Sequence, residues 1–347
     1  MFQIDPPRLL RSAHLQTVLS SRALRGYGST GRDLLASAER ITIDCGRGVR
    51  LGAVVSSTIA PAPLVIVLHG WLGSEDSPYS RRAADALHRA NFRVARLLLR
   101  DHGDTAALNV ELFHSARIDE VVAACNALAA RYGNGTTGIL GFSLGANFAI
   151  RVAADASCNE RIAAVLAVCP VVDPAATVAA IDAGWAGYRW WFLRKWRRAL
   201  AQKQAAFPDR YDFGAALRLR SIGALTEHVT ARYSEFPDTA SYYARYTIRS
   251  ELIERLRAPV QIVAAADDPV IPVDGIAALR ETDRLAVALS THGGHCAFIE
   301  GFDLRSRIDA AAPRFFASRL AHRRQSRASP LPHLMPTDGF ARPPRLD

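Results

Sequence analysis

No CxxC pair, no internal repeat and no long uninterrupted apolar run occurs in these 347 residues. The five cysteines, at positions 45, 125, 158, 169 and 296, are odd in number and scattered. That spacing argues against a disulfide framework and against a zinc site, and it favours a reducing, cytoplasmic setting. No metal and no cofactor is expected. The opening MFQIDPPRLLRSAHLQTVLSS holds no apolar core of the secretory kind, so no export signal is expected. The most apolar stretch, Ile162 to Ile181, is interrupted by Pro170, Asp173 and Pro174, whereas a bilayer span needs about 20 mostly apolar residues.

Acidic residues are in deficit: 43 Lys and Arg face 33 Asp and Glu, for a net charge of +10. The excess is local. Residues 185–203 hold Arg189, Arg194, Lys195, Arg197, Arg198 and Lys203 with no acid, and residues 319–347 hold six arginines against two aspartates. Those two segments carry the whole excess, which is no pattern for a surface that wraps nucleic acid.

What is present is an alternation. Short apolar runs at 41–45, 50–55, 64–69, 94–99, 137–142, 162–169, 260–266 and 284–290 read as strands, most of them continuous as in strands covered on both faces. Helical stretches at 80–91, 115–132 and 144–156 lie between them, and Ile118, Val121, Val122, Cys125 and Leu128 follow amphipathic spacing. The pattern predicts an α/β fold with a mostly parallel central sheet flanked by helices. It divides the chain into an N-terminal segment (1–40), a core (41–172), a helical cap insertion (173–250), the rest of the core (251–321) and a disordered tail rich in Arg and Pro (322–347).

Within this frame, GILGFSLGANFAI (138–150) places Ser143 between Gly141 and Gly145 where a strand gives way to a helix. A lone G-x-S-x-G arises by chance in roughly one chain in ten of this length. The strand before and helix after make it a nucleophile elbow, in which glycines permit close backbone approach. A serine needs a base, and STHGGHCAFIE (290–300) supplies His295, favoured over His292 because it precedes the CAF turn into the last helix. The imidazole needs a carboxylate, and VQIVAAADDPVIP (260–272) supplies Asp268, with Asp267 as the alternative. The order Ser, Asp, His is that of the α/β-hydrolase triad. Backbone N–H groups of Leu144 and of Trp71, in HGWLGS (69–74), are the candidate oxyanion donors. His69 reads as a brace for that loop.

Further stretches join these in a resemblance: HLQTVL (14–19), LRDHGD (99–104), LFHSARIDEV (112–121), GFSLGAN (141–147), DDP (267–269) and GGHCAFIEG (293–301). From about residue 5 to 320 the chain resembles the YheT-like α/β-hydrolases. The resemblance implies an α/β-hydrolase fold and a serine hydrolase acting on carboxylic esters of short to medium chain, with Ser143, Asp268 and His295 as its triad. Thioesterase, lactonase or alcohol acyltransferase chemistry would use the same residues, and a non-catalytic binding module is the reading furthest from them. LRDHGD departs from the family's Arg-Gly-His/Cys-Gly, with Asp101 in place of the first glycine.

WAGYRWWFLRKWRR (185–198) completes the set. Trp190 and Trp191 are candidate substrate contacts on a lid that lines an acyl pocket. The alternatives are a cap helix packed on the fold with its arginines in solvent, or weak contact with an anionic membrane surface. An acyl ester is the expected partner, and the sequence sets no oligomeric state.

Overall fold

The computed structural model describes residues 2–21 and 31–320, and the tail expected to be disordered lies outside them. All eight apolar runs are strands: β1 (Ala38–Asp44), β2 (Arg50–Ser56), β3 (Leu64–Leu68), β4 (Arg93–Leu97), β5 (Thr137–Phe142), β6 (Ile162–Val168), β7 (Val260–Ala265) and β8 (Leu285–Ser290). They form one sheet in the order β1-β2-β4-β3-β5-β6-β7-β8, antiparallel where β2 meets β1 and β4 and parallel elsewhere.

Every residue of β3, β5 and β6 is buried, because helices cover both faces. Along β3 the side chains alternate: Leu64, Ile66 and Leu68 enter one core, Val65 and Val67 the other. The first core lies under α3 (Ile118–Tyr132) and α4 (Leu144–Ala154), the second under α2 (Pro78–Arg89) and α9 (Arg307–Leu320). Each large apolar side chain so buried contributes about 1.5–3 kcal/mol. The N-terminal helix α1 (Ala13–Ser20) precedes the sheet.

No strand interrupts the chain between β6 and β7. Helices α5 (Pro174–Ala183), α6 (Ala186–Ala206), α7 (Ile222–Tyr233) and α8 (Thr239–Ala244) fill that span. Asp173, Ser221 and Asp238 start three of them, each side chain accepting a backbone N–H of the first turn. No described helix is long and apolar enough to cross a membrane.

The 21-residue α6 is fastened to the core by Lys203, whose side chain is fully buried. Its ammonium lies 2.8 Å from Asp101 Oδ1 and donates to the carbonyls of Asn109 (2.7 Å), Glu111 (3.2 Å) and Ala106 (3.3 Å). Asp101 adopts a left-handed φ of 59°, a conformation that a glycine takes without strain. Its second oxygen accepts the Phe113 N–H at 2.7 Å. Asp101 and Lys203 therefore form an ion pair that ties α6 to the loop after β4. Removing one partner leaves a buried charge alone, so Lys203→Met is expected to cost about 3–5 kcal/mol. Denaturant unfolding checks this, and the double variant Asp101→Leu/Lys203→Met is expected to recover part of the loss.

Candidate active site

Strand β5 ends at Phe142 and α4 begins at Leu144, so Ser143 alone makes the turn, with φ 55° and ψ −119°. A Cβ on Gly145 would fall 2.4 Å from the carbonyl oxygens of Leu68 and His69, and one on Gly141 would fall 2.4 Å from the Gly145 oxygen. Both glycines are required by close approach. The Ser143 N–H donates to Val168 O at the end of β6, at 2.9 Å, which fixes the elbow against the neighbouring strand.

Asp268 follows β7. Its Oδ1 accepts the N–H groups of Val270 and Ile271 at 2.8 and 3.0 Å, so the carboxylate is rigidly aimed. Its Oδ2 meets His295 Nδ1 at 2.8 Å. The neighbouring pair is separate: Asp267 Oδ1 accepts the Gly294 N–H at 2.9 Å, and its Oδ2 lies 3.5 Å from His292 Nδ1. Of the two aspartates and two histidines considered, Asp268 and His295 are the pair that hydrogen-bonds. Burial alone would lower the proton affinity of His295, but the charge and hydrogen bond of Asp268, with a further contribution from Cys169, outweigh it and push its pKa up to about 10.

Ser143 and His295 meet the same corner of the sheet. Cys296 Sγ lies 3.9 Å from His295 Nε2 and 3.8 Å from Val168 O, the oxygen that accepts the Ser143 N–H. Among the described residues Ser143 Oγ forms no hydrogen bond to the ring. In ligand-free enzymes such bonds are often long and tighten on substrate. The N–H groups of Trp71 and Leu144 have no protein acceptor among the described residues.

His69 is a brace. Its Nδ1 meets Gly70 O at 2.8 Å and its Nε2 accepts the Leu99 N–H at 3.3 Å. Burial holds its pKa down at about 4, so the ring is neutral.

A cleft of about 800 Å³, part of it open to solvent, runs from the first residue of α4 into the helices between β6 and β7; Leu144 lines it, whereas Ser143, Asp268 and His295 do not. Trp71 and Leu144 stand at its core side, and Trp196, Val178, Ile181 and Tyr243 line its cap side. Trp190 and Trp191, expected as substrate contacts, are not among the residues that line it. On α6, Phe192 and Trp196 are one turn apart and face inward onto Trp71, with ring centroids 5.7 and 4.9 Å away. The preceding residues point elsewhere: Trp190 is 61% exposed under Arg194, and Trp191 carries Lys195.

Two features were not read from sequence. First, α1 holds the His295 loop. Thr17 Oγ1 accepts the His295 N–H at 2.9 Å, while Gln16, fully buried, both donates to and accepts from Ile299 at 2.9 Å. HLQTVL was singled out, but its partners lie at the other end of the chain. Second, Cys169 and Cys296 flank His295, with the two sulfurs and a ring nitrogen all within 4.8 Å of one another. Spacing along the chain, which argued against a zinc site, gives no sign of a cluster assembled from opposite halves.

A family model described as alpha/beta hydrolase fold matches residues 63–302. "Putative esterase YheT" of Escherichia coli (strain K12) is 26% identical over 245 residues, covering 69% of this chain and 71% of that protein. "Protein abhd-3.2" of Caenorhabditis elegans is 26% identical over 103 residues, 29% of this chain and 27% of that one. Among solved structures, the esterase Pf2001 of Pyrococcus furiosus superposes with a TM-score of 0.57 at 16% identity, covering 84% of this chain and 96% of that one. Est1E from Butyrivibrio proteoclasticus gives 0.52 at 16% identity, covering 81% and 99%. At these identities the structural likeness is one of fold.

Replacing Thr17 by Val leaves the His295 N–H without its acceptor. The variant is expected to lose about 1–3 kcal/mol of stability and to lower kcat for a chromogenic ester with KM little changed, as steady-state kinetics beside thermal unfolding will show.

Proposed function

The chain belongs to the α/β-hydrolase family, and from that premise we propose that it is a serine esterase cleaving short- to medium-chain acyl esters. Hydrolase chemistry is supported by the esterase relatives within that family. The observation that carries the finer reading is the 2.8 Å bond from Asp268 to His295 Nδ1, at the corner where Ser143 occupies a strained elbow.

In this reading His295, once its ring has lost the Nε2 proton, a loss that its raised pKa moves to alkaline pH, takes the Ser143 proton as Oγ attacks the ester carbonyl. Asp268 holds the proton on Nδ1 and stabilises the imidazolium that forms. The developing oxyanion is received by the Trp71 and Leu144 N–H groups, each worth about 3–4 kcal/mol in comparable sites. The imidazolium then protonates the leaving alcohol, and water, activated by the same ring, releases the acid. Thioesters or lactones would enter the same acyl-enzyme, and an alcohol in place of water would make the reaction a transfer. The apolar walls of the cleft fit an acyl chain.

Ser143→Ala is expected to abolish labelling by a fluorophosphonate probe and to lower ester hydrolysis by about 10⁴-fold or more. Unchanged labelling or turnover would sink the assignment. Val178→Phe is expected to block the cleft and shift preference toward shorter p-nitrophenyl esters. Each methylene beyond the block should lose about 0.8 kcal/mol, roughly fourfold in kcat/KM.

A further inference from the structure

Cys169 directly follows β6, and Cys296 directly follows His295. Both adopt left-handed backbone, with φ of 47° and 61°. That conformation is uncommon for residues with a Cβ, and it brings the two side chains to His295 from two different loops. Both residues are buried, at 0% and 4% exposure. All five cysteines are free thiols.

The distances suit a metal. The two sulfurs and the ring nitrogen of His295 lie within 4.8 Å of one another, and Cys296 Sγ is 3.9 Å from Nε2. A tetrahedral zinc ion with bonds of about 2.0–2.3 Å sets its ligand atoms roughly 3.3–3.8 Å apart, so small side-chain movements would close the site. Two thiolates and an imidazole match zinc in softness. His295 Nδ1 is already held by Asp268 at 2.8 Å, the carboxylate–histidine arrangement that orients a ligating ring and leaves Nε2 as the donor. The imidazole is 13% exposed, which gives an ion a way in.

The geometry points to a site for one thiophilic divalent cation, Zn²⁺, held by Cys169 Sγ, Cys296 Sγ and His295 Nε2, whose occupancy switches hydrolysis off. On binding, each thiol gives its proton to solvent and forms a Zn–S bond, and the imidazolium, its pKa raised to about 10, gives up its Nε2 proton as well so that Nε2 can donate its lone pair while Nδ1 keeps its proton. Nothing is oxidised or reduced, and water completes the fourth position. The switching half rests on the reading of His295 as general base, since a nitrogen bound to zinc cannot accept the Ser143 proton.

The test uses the full chain, reduced and stripped of metal. Zinc is titrated against a chromophoric chelator, cadmium is added to observe thiolate-to-metal charge transfer in the ultraviolet, and ester hydrolysis is followed at buffered free zinc. One zinc per chain, a cadmium–thiolate band, and a parallel fall in hydrolysis restored by EDTA are expected. Cys169→Ser and Cys296→Ser, each referred to its own metal-free rate, should need at least about 10–100-fold more zinc for half inhibition. Absence of stoichiometric binding, or equal binding by the double serine variant, overturns the site. Binding with the charge-transfer band but undiminished hydrolysis overturns the switch. Failure of the esterase reading is told apart by Ser143→Ala, which would then leave turnover intact while zinc binding persisted.

Discussion

Everything at the catalytic corner depends on backbone meeting backbone at the start of α4. The helix begins so close to β3 and β5 that no side chain fits at Gly141 or Gly145. Ser143 must therefore make the whole turn from strand to helix in one residue, at a backbone conformation few residues occupy. The same contact frees the first N–H of the helix and sets it beside the loop that follows β3. Candidate nucleophile and candidate oxyanion donor are thus consequences of one packing constraint.

The imidazole is held differently. Its loop follows β8 and packs back on the ends of β7 and β6, where a Cβ on Gly293 would fall 2.9 Å from Ala265 and Cys296 Sγ meets Val168 O at 3.8 Å. Asp268 fixes the ring, and α1 fixes the backbone through Thr17 and Gln16. A helix from the first residues thereby buttresses a loop from the last. The N-terminal helix is thus bonded directly to the loop that carries His295.

The fold was legible because its central strands are covered on both faces and so appear as uninterrupted apolar runs. All eight were found, with ends displaced by at most three residues. The elbow, Asp268 and His295 were legible because each is local: a turn signal, an acid at a strand end, a histidine after paired glycines. What failed needed three dimensions. Trp190 and Trp191 were the candidates on α6, yet Trp190 is exposed, and it is Trp196, one turn on from Phe192, that lines the cleft. HLQTVL was noticed without a role, and Asp101 looked like a flaw in a loop until Lys203 was seen to neutralise it. The cysteines at 169 and 296 appear unrelated until the loop after β8 folds back past β7 to the end of β6.

The Asp101–Lys203 pair carries an implication for ancestry. An aspartate in place of glycine at that left-handed position, with no cation opposite, would bury a lone carboxylate. A lysine arriving first on the cap helix would bury a lone ammonium. Either intermediate bears nearly the full desolvation penalty, and the two changes are strongly non-additive. The two positions therefore form an epistatic unit, and descendants of this lineage should retain or lose both together.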